Sequence, residues 1–148
     1  MKKKTVLSIL AILLILVAVY FQLDFGVPPA NPGAGLAEEN HYSTSEDVAL
    51  YIHTYGKLPP NYITKGEAQK LGWQSSSGNL WEVTNQYFIG GDRFGNREGL
   101  LPDAPGRVWY ECDVNYVGGY RGPERLVFSN DGLIFYTDDH YQSFTQLY

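Results

Sequence analysis

The hydrophobic period of this chain changes near Phe88, and that change limits what it can fold into. Upstream, Val48, Ile52 and Tyr55 recur at helical spacing, with Tyr51 beside them. Thr44 stands ahead of Glu46 and Asp47, which suits a helix start. Gly56 and then Lys57-Leu58-Pro59-Pro60 stop that helix. Thr64 and Glu67 have capping-box spacing, so a second helix starts there and ends near Gly72. A short third helix is expected from near Asn79, carrying Leu80 and Val83. After Phe88 the period drops to two. Val108, Tyr110, Cys112 and Val114 alternate with Arg107, Trp109, Glu111 and Asp113, so Glu111 leaves the strand on the face opposite Cys112. Asn130-Asp131-Gly132 between two apolar runs signals a hairpin. Helices first and strands later predict a single α+β domain, with the N-terminal helices on one face of a C-terminal antiparallel β-sheet. The other face is expected to stay open.

The N-terminal region has a different character. Lys2–Lys4 precede Thr5–Leu23, nineteen residues without a charge. With no polar face this cannot be an ordinary core helix. It reads as a signal peptide or membrane anchor over residues 1–23, with export preferred over anchoring. Residues 24–43 contain Pro28, Pro29, Pro32, Gly33 and Gly35 and read as a linker, which leaves 44–148 as the folded domain. The single cysteine, Cys112, excludes an intramolecular disulfide and a Cys-rich zinc module. It lies on the core face and reads as a small buried hydrophobe. The core must therefore come from large side chains, and 12 Tyr and 3 Trp supply them.

Five segments carry a more specific message: LPPNYITKGEAQKLGW at Leu58–Trp73, IGGDRFGNREG at Ile89–Gly99, GRVWYECDVNY at Gly106–Tyr116, GGYRGPERLVFS at Gly118–Ser129 and TDDHYQSFTQLY at Thr137–Tyr148. Together and in order they resemble the barnase family of bacterial guanine-preferring ribonucleases, from about Thr44 to the C-terminus. The resemblance implies metal-independent cleavage of single-stranded RNA after guanosine. The first product would be a 2′,3′-cyclic phosphate, which is then hydrolysed.

On this resemblance Glu111 is the base that takes the ribose 2′-OH proton, and His140 is the acid that protonates the leaving 5′-oxygen. Taken alone, Glu111 would read as a solvated strand glutamate. Arg121 and Arg125 resemble the phosphate clamp, and Lys65 its third cation; alone they would read as surface ion pairs. Asp113 shares the face of Glu111 and is implied to hold an arginine, with Asp92 as a further supporting residue. Phe94, Gly95, Asn96, Arg97 and Glu98 resemble the guanine-binding loop. There Glu98 would accept from guanine N1 and N2, and backbone N–H groups near Asn96 and Arg97 would serve O6. Gly95 and Arg93 depart from the family pattern and put the strength of base preference in question. Tyr141 is placed to stack on a base. Asp138 and Asp139 precede His140 and would favour its charged form. His41 and His53 are expected at the surface.

No cofactor or metal is expected. The partners implied are single-stranded RNA and a protein inhibitor resembling barstar, with the membrane met only through residues 5–23 if they are uncleaved; the chain is expected to be a monomer. From His41 onward there are 8 Lys/Arg and 13 Asp/Glu, a net of −5. Attraction to RNA must then come from a local cluster that includes Lys65, Arg93, Arg97, Arg121 and Arg125, and long-range steering should be weak. Two other readings stay open: a membrane-anchored or cell-contact ribonuclease toxin, and a non-catalytic RNA- or protein-binding module. The presence of both Glu111 and His140 argues against the last.

Overall fold

The computed structural model describes residues 35–148. The signal or anchor segment, and the linker as far as residue 34, lie outside the described residues. In chain order the elements are α1 (Ser45–Tyr55), β1 (Tyr62–Ile63), α2 (Lys65–Lys70), a 3-10 turn (Ser75–Ser77), α3 (Leu80–Val83), β2 (Phe88–Phe94), β3 (Trp109–Asp113), β4 (Arg125–Ser129), β5 (Ile134–Thr137) and β6 (Thr145–Gln146). The six strands form one sheet in sequence order. It is antiparallel apart from β1, a two-residue strand that pairs parallel to β2.

Local chemistry sets the helix ends. The Thr44 hydroxyl accepts from the Asp47 N–H at 3.2 Å, and Gly56 closes α1 in the left-handed region at φ 67°. At α2 both halves of the capping box form: Thr64 accepts from Glu67 N–H, and the Glu67 carboxylate accepts from Thr64 N–H at 2.8 Å.

The main core lies between α1 and one face of the sheet. Val48, Ala49 and Ile52 pack there on Cys112, Val114, Leu126, Phe128 and Ile134. Complete burial of a residue such as Leu126 contributes about 1.5–3 kcal/mol. A second cluster joins Ala68, Trp73, Leu80, Phe88, Ile89 and Tyr116 and fixes α2 and α3 to the sheet.

Two expectations need correction. The face of Glu111 is only partly open, because Leu101, Trp109, Val127 and Phe135 form a third buried cluster on it, flanked by Phe94, Tyr141 and Phe144. That cluster covers the end of the sheet away from Asp113. In addition, residues 36–43 are tied to the domain, whereas composition reads them as linker. Tyr55 donates to the Leu36 carbonyl, Tyr51 to the Glu38 carbonyl at 2.7 Å, and Asn61 to the Tyr42 carbonyl at 2.8 Å.

One irregularity matters for the site. Gly90 pairs with Cys112, whereas Asp92 pairs with Glu111, so Gly91 is the extra residue of a β-bulge, at φ 94°. Without the bulge Asp92 would face the helices. Gly90 has no room for a side chain: a Cβ would sit 2.6 Å from the Cys112 Cβ and 2.7 Å from the Tyr62 ring. The bulge can therefore form with β2 pressed against β3 and β1.

Candidate active site

Strand register gathers the polar residues on the second face. Asp92, Glu111 and Val127 lie in one row across β2, β3 and β4. Asp113, Arg125 and Thr137 form the adjacent row across β3, β4 and β5. Period two brings Glu111 and Asp113 to the same face, two positions apart on β3.

Glu111 is 7% exposed. Lys65 Nζ lies 2.5 Å from its Oε1, and the Tyr141 hydroxyl donates to its Oε2 at 2.5 Å. Burial alone would raise the carboxyl pKa. The hydrogen bonds from Lys65 and Tyr141, with the charges of Lys65 and Arg121, outweigh it and hold Glu111 below its ordinary value. Burial, and then the Glu111 carboxylate, push the Tyr141 hydroxyl far upward, so it stays a donor. Lys65 is positioned from the backbone: its N–H donates to Asp92 Oδ2 at 2.9 Å, which uses the carboxylate that the bulge turned to this face. The Asp92 charge also offsets the electrostatic cost of a lysine at a helix start.

Asp113 is 1% exposed and sits between two arginines. Arg121 donates to both of its oxygens, at 2.7 Å and 2.6 Å. Arg125, 3% exposed, donates from Nη1 to the Gly122 and Glu124 carbonyls, each at 2.7 Å. Its Nε lies 2.9 Å from Asp113 Oδ1 yet makes no hydrogen bond, because the N–H is misaligned. One buried carboxylate thus faces two guanidinium groups, which leaves local positive charge for an anion. Arg121 is held from its other side by Trp73, whose ring centre is 5.9 Å from the guanidinium carbon.

His140 lines one cavity with Arg121 and Arg125. It is exposed and left-handed at φ 57°, and Tyr141 follows at φ 70°. Asp139 builds this loop. Its carboxylate accepts from Thr137 Oγ1, Gln142 N, Ser143 N and Ser143 Oγ, at 2.5–2.9 Å. Chiefly through the Ser143 bonds, its carboxyl falls to about 2. This corrects the expected role of Asp139: its charge is committed to the turn that presents His140, not to the imidazole. Sequence reasoning missed that role; the signal present was an Asp followed by Gln and Ser at positions three and four, an Asx-type turn.

Phe94–Glu98 lies at the other end of the site. Phe94 stacks on Tyr141 with ring centres 5.2 Å apart, so Tyr141 connects the loop to Glu111. Asn96 is buried at φ 45°, and its amide closes the loop on Leu101, donating at 2.9 Å and accepting at 3.0 Å. Its side chain is therefore used internally, and only backbone groups there are free to meet a base. Gly95, Arg97 and Glu98 are exposed. A Cβ at Gly95 would meet only Arg97, at 3.4 Å, so no packing forces a glycine there.

His41 is exposed, and His53 stacks on Tyr148 with ring centres 4.1 Å apart, outside this cluster. Cys112 is buried, and burial pushes its thiol pKa well up. Among the described residues no three His, Cys, Asp or Glu side chains converge as a metal site, and no helix is long and apolar enough to cross a membrane.

Known proteins resemble this chain over the same stretch. The sequence model of the ribonuclease family matches residues 45–148. Ribonucleases of Bacillus intermedius and Heyndrickxia coagulans are 54% and 53% identical over 105 residues, 71% of this chain. The aligned stretch covers 65% of the former protein, just under two thirds of its length, and 96% of the latter. The guanyl-specific ribonuclease St of Saccharopolyspora erythraea is 46% identical over 55 residues, 36% of this chain and 54% of its own. With the family model covering the whole sheet and every residue of the Glu111–Arg125–His140 cluster, the chain belongs to the ribonuclease family.

Proposed function

We propose that this chain is an endoribonuclease that cleaves single-stranded RNA after guanosine in two steps, without a metal. In the first, Glu111 takes the 2′-OH proton and the 2′-oxygen attacks phosphorus. The bond from phosphorus to the 5′-oxygen breaks, and His140 gives that oxygen a proton. In the second, His140 takes a proton from water, which attacks the cyclic ester. The bond to the 2′-oxygen breaks, and Glu111 returns its proton. Lys65, Arg121 and Arg125 stabilise the charge that builds on the phosphoryl oxygens between these events.

The observation that carries this reading is the state of Glu111. A nearly buried carboxylate is kept ionised by two short donors, beside a pair of arginines that shares a cavity with the single histidine of the site. A base ready to accept, an acid able to donate and cations between them meet the needs of transphosphorylation. The guanyl-specific name of the Saccharopolyspora relative supports the base preference. Glu98 is exposed at the loop tip, where a carboxylate can meet guanine N1 and N2. The apolar run Thr5–Leu23 supports export, with the domain acting outside the cytoplasm. A tight inhibitor resembling barstar is proposed as the producer's protection.

The test is cleavage of GpA by wild type, Glu111→Gln and His140→Gln. Each variant should remain folded and lose about 10²–10⁴-fold in kcat. A folded double variant with near wild-type turnover would remove the mechanism. Mass spectrometry of exported protein shows whether residues 1–23 are lost; retention would favour the anchored form.

A further inference from the structure

A second cavity lies on the helix side of the sheet, on the face opposite Glu111. It measures about 520 Å³, the size of a small-molecule site. Ile52 of α1, Leu58, Phe128 and Ile134 form its apolar wall, and Tyr110 extends that wall toward β2. The Tyr110 and Phe128 rings stack with centres 5.9 Å apart. Gly56 and Gly132 leave the cavity open to solvent: a Cβ at either would meet nothing within 4 Å. Strand register then brings in a cation. Arg93, Tyr110, Phe128 and Ile134 form one row across β2, β3, β4 and β5. From the sequence Arg93 is expected among the cations that meet RNA; the register instead puts it on this face, beside Tyr110. It is exposed and forms no salt bridge among the described residues. At the other end of the row lies His53, stacked on Tyr148, whose carbonyl accepts from the Ile134 N–H at 3.0 Å.

These parts define a ligand. An aromatic floor favours a planar ring, which gains from stacking beyond the area it buries. A nucleobase suits the deep wall poorly. Ile52, Phe128 and Ile134 are buried and offer no side-chain partner to its polar edge atoms, and leaving those atoms unpaired is costly. Asn130, also on the wall, has its amide committed to Val108 and Gly106. An arginine without a carboxylate partner at the end of the same row calls for an acid, and a carboxylate matches the two-pronged guanidinium. We infer that this cavity binds a small aromatic carboxylate, with its ring against Tyr110 and Phe128 and its acid group toward Arg93. Gly91 also lines the cavity, so the occupant would sit behind the bulge that turns Asp92 to Lys65, apart from the arginine pair. The site goes beyond the ribonuclease reading and does not depend on it.

The probe is indole-3-acetate, titrated into isotope-labelled full-length protein and followed by backbone amide resonances. Gly56, Gly91 and Gly132 report on this cavity, whereas Gly119 and Gly122 report on the one beside His140. The first three should shift and saturate. Indole, which has the ring without the acid, should bind wild type about fivefold more weakly, the upper end for an exposed ion pair. Arg93→Gln should weaken indole-3-acetate by about the same factor and leave indole within about twofold. Shifts confined to Gly119 and Gly122 would mean that the acid only visits the arginine pair. Equal affinity of indole and indole-3-acetate for wild type would mean that Arg93 receives no acid group. AMP shifting Gly56, Gly91 and Gly132 as strongly would make the cavity a nucleotide site, and no saturable shift would mean that nothing of this class binds. Each of these four results overturns the inference. None of the readouts is cleavage, so failure of the ribonuclease reading would leave the test intact.

Discussion

Asp113→Asn is the substitution whose cost can be worked most directly from the geometry. The Asp113 carboxylate is 1% exposed, accepts two hydrogen bonds from Arg121 and has Arg125 Nε at 2.9 Å. Hydrogen bonds to charged groups contribute about 1.5–3 kcal/mol each. Asparagine keeps one oxygen and the shape, so it can retain one of the two bonds. It also removes the only carboxylate between two guanidinium groups, and stranding one member of a buried pair costs about 3–5 kcal/mol. Arg121 is partly exposed and water can screen it; Arg125 is not. The expected loss is therefore near the lower end, about 3 kcal/mol. For a domain of this size that is a fall in Tm of roughly 12 °C. Urea unfolding at constant slope gives the number. Inorganic phosphate supplies the missing negative charge, so it should restore more stability to the variant than to wild type at equal ionic strength. A loss below about 1 kcal/mol, with no difference in response to phosphate, would show that Asp113 is not the counter-charge that holds the arginine pair.

Three further outcomes are expected. Glu98→Ala should reduce kcat/KM on GpA far more than on ApA; equal losses would mean that Glu98 supports the loop without reading the base. Activity on RNA should survive EDTA if Lys65, Arg121 and Arg125 serve the phosphate as proposed, and a loss reversed by magnesium or zinc would refute that role. Tyr141→Phe removes one donor that holds the Glu111 pKa down, so the acid limb of the kcat/KM profile should move to higher pH. The sign follows from the proposed role: a base works ionised, activity is lost as pH falls through its pKa, and raising that pKa brings the loss earlier. An unmoved limb in a folded variant would show that the bond to Glu111 does not set its ionisation.

What could be read from the chain was whatever depends on neighbours in sequence. The caps at Thr44 and Thr64 and the two-residue period around Glu111 are local signals, and the elements follow them. Glu111 and Asp113 share a face because period two requires it, whatever the rest of the fold does. The features that escaped need distant partners. Nothing near Asp92 says that a bulge at Gly91 will turn it toward Lys65, because the bulge depends on Gly90 meeting Cys112 and Tyr62. Trp109, Val127 and Phe135 come from three strands, so the cluster that narrows the open face exists only once the sheet is assembled. The part of the apparent linker from Leu36 to Tyr42 carries no apolar pattern and is fixed by its backbone carbonyls, which every sequence has. Asp139 beside a histidine suggests an ion pair, yet four donors in the turn bond its carboxylate.

The two consecutive left-handed residues, His140 and Tyr141, set this loop apart under selection. Each non-glycine residue held there costs roughly 1 kcal/mol or more, and both belong to the proposed reacting cluster. Glycine would relieve the backbone at either position and erase the side chain that the proposed mechanism uses. A library sorted only for heat resistance would therefore drift toward glycine or asparagine at 140 and 141. It would enrich tougher molecules with no turnover, while sorting for activity would hold the strained pair in place. Thermostability is better sought elsewhere in this domain, at exposed positions such as Leu71 and Leu100, which lie outside the reacting cluster.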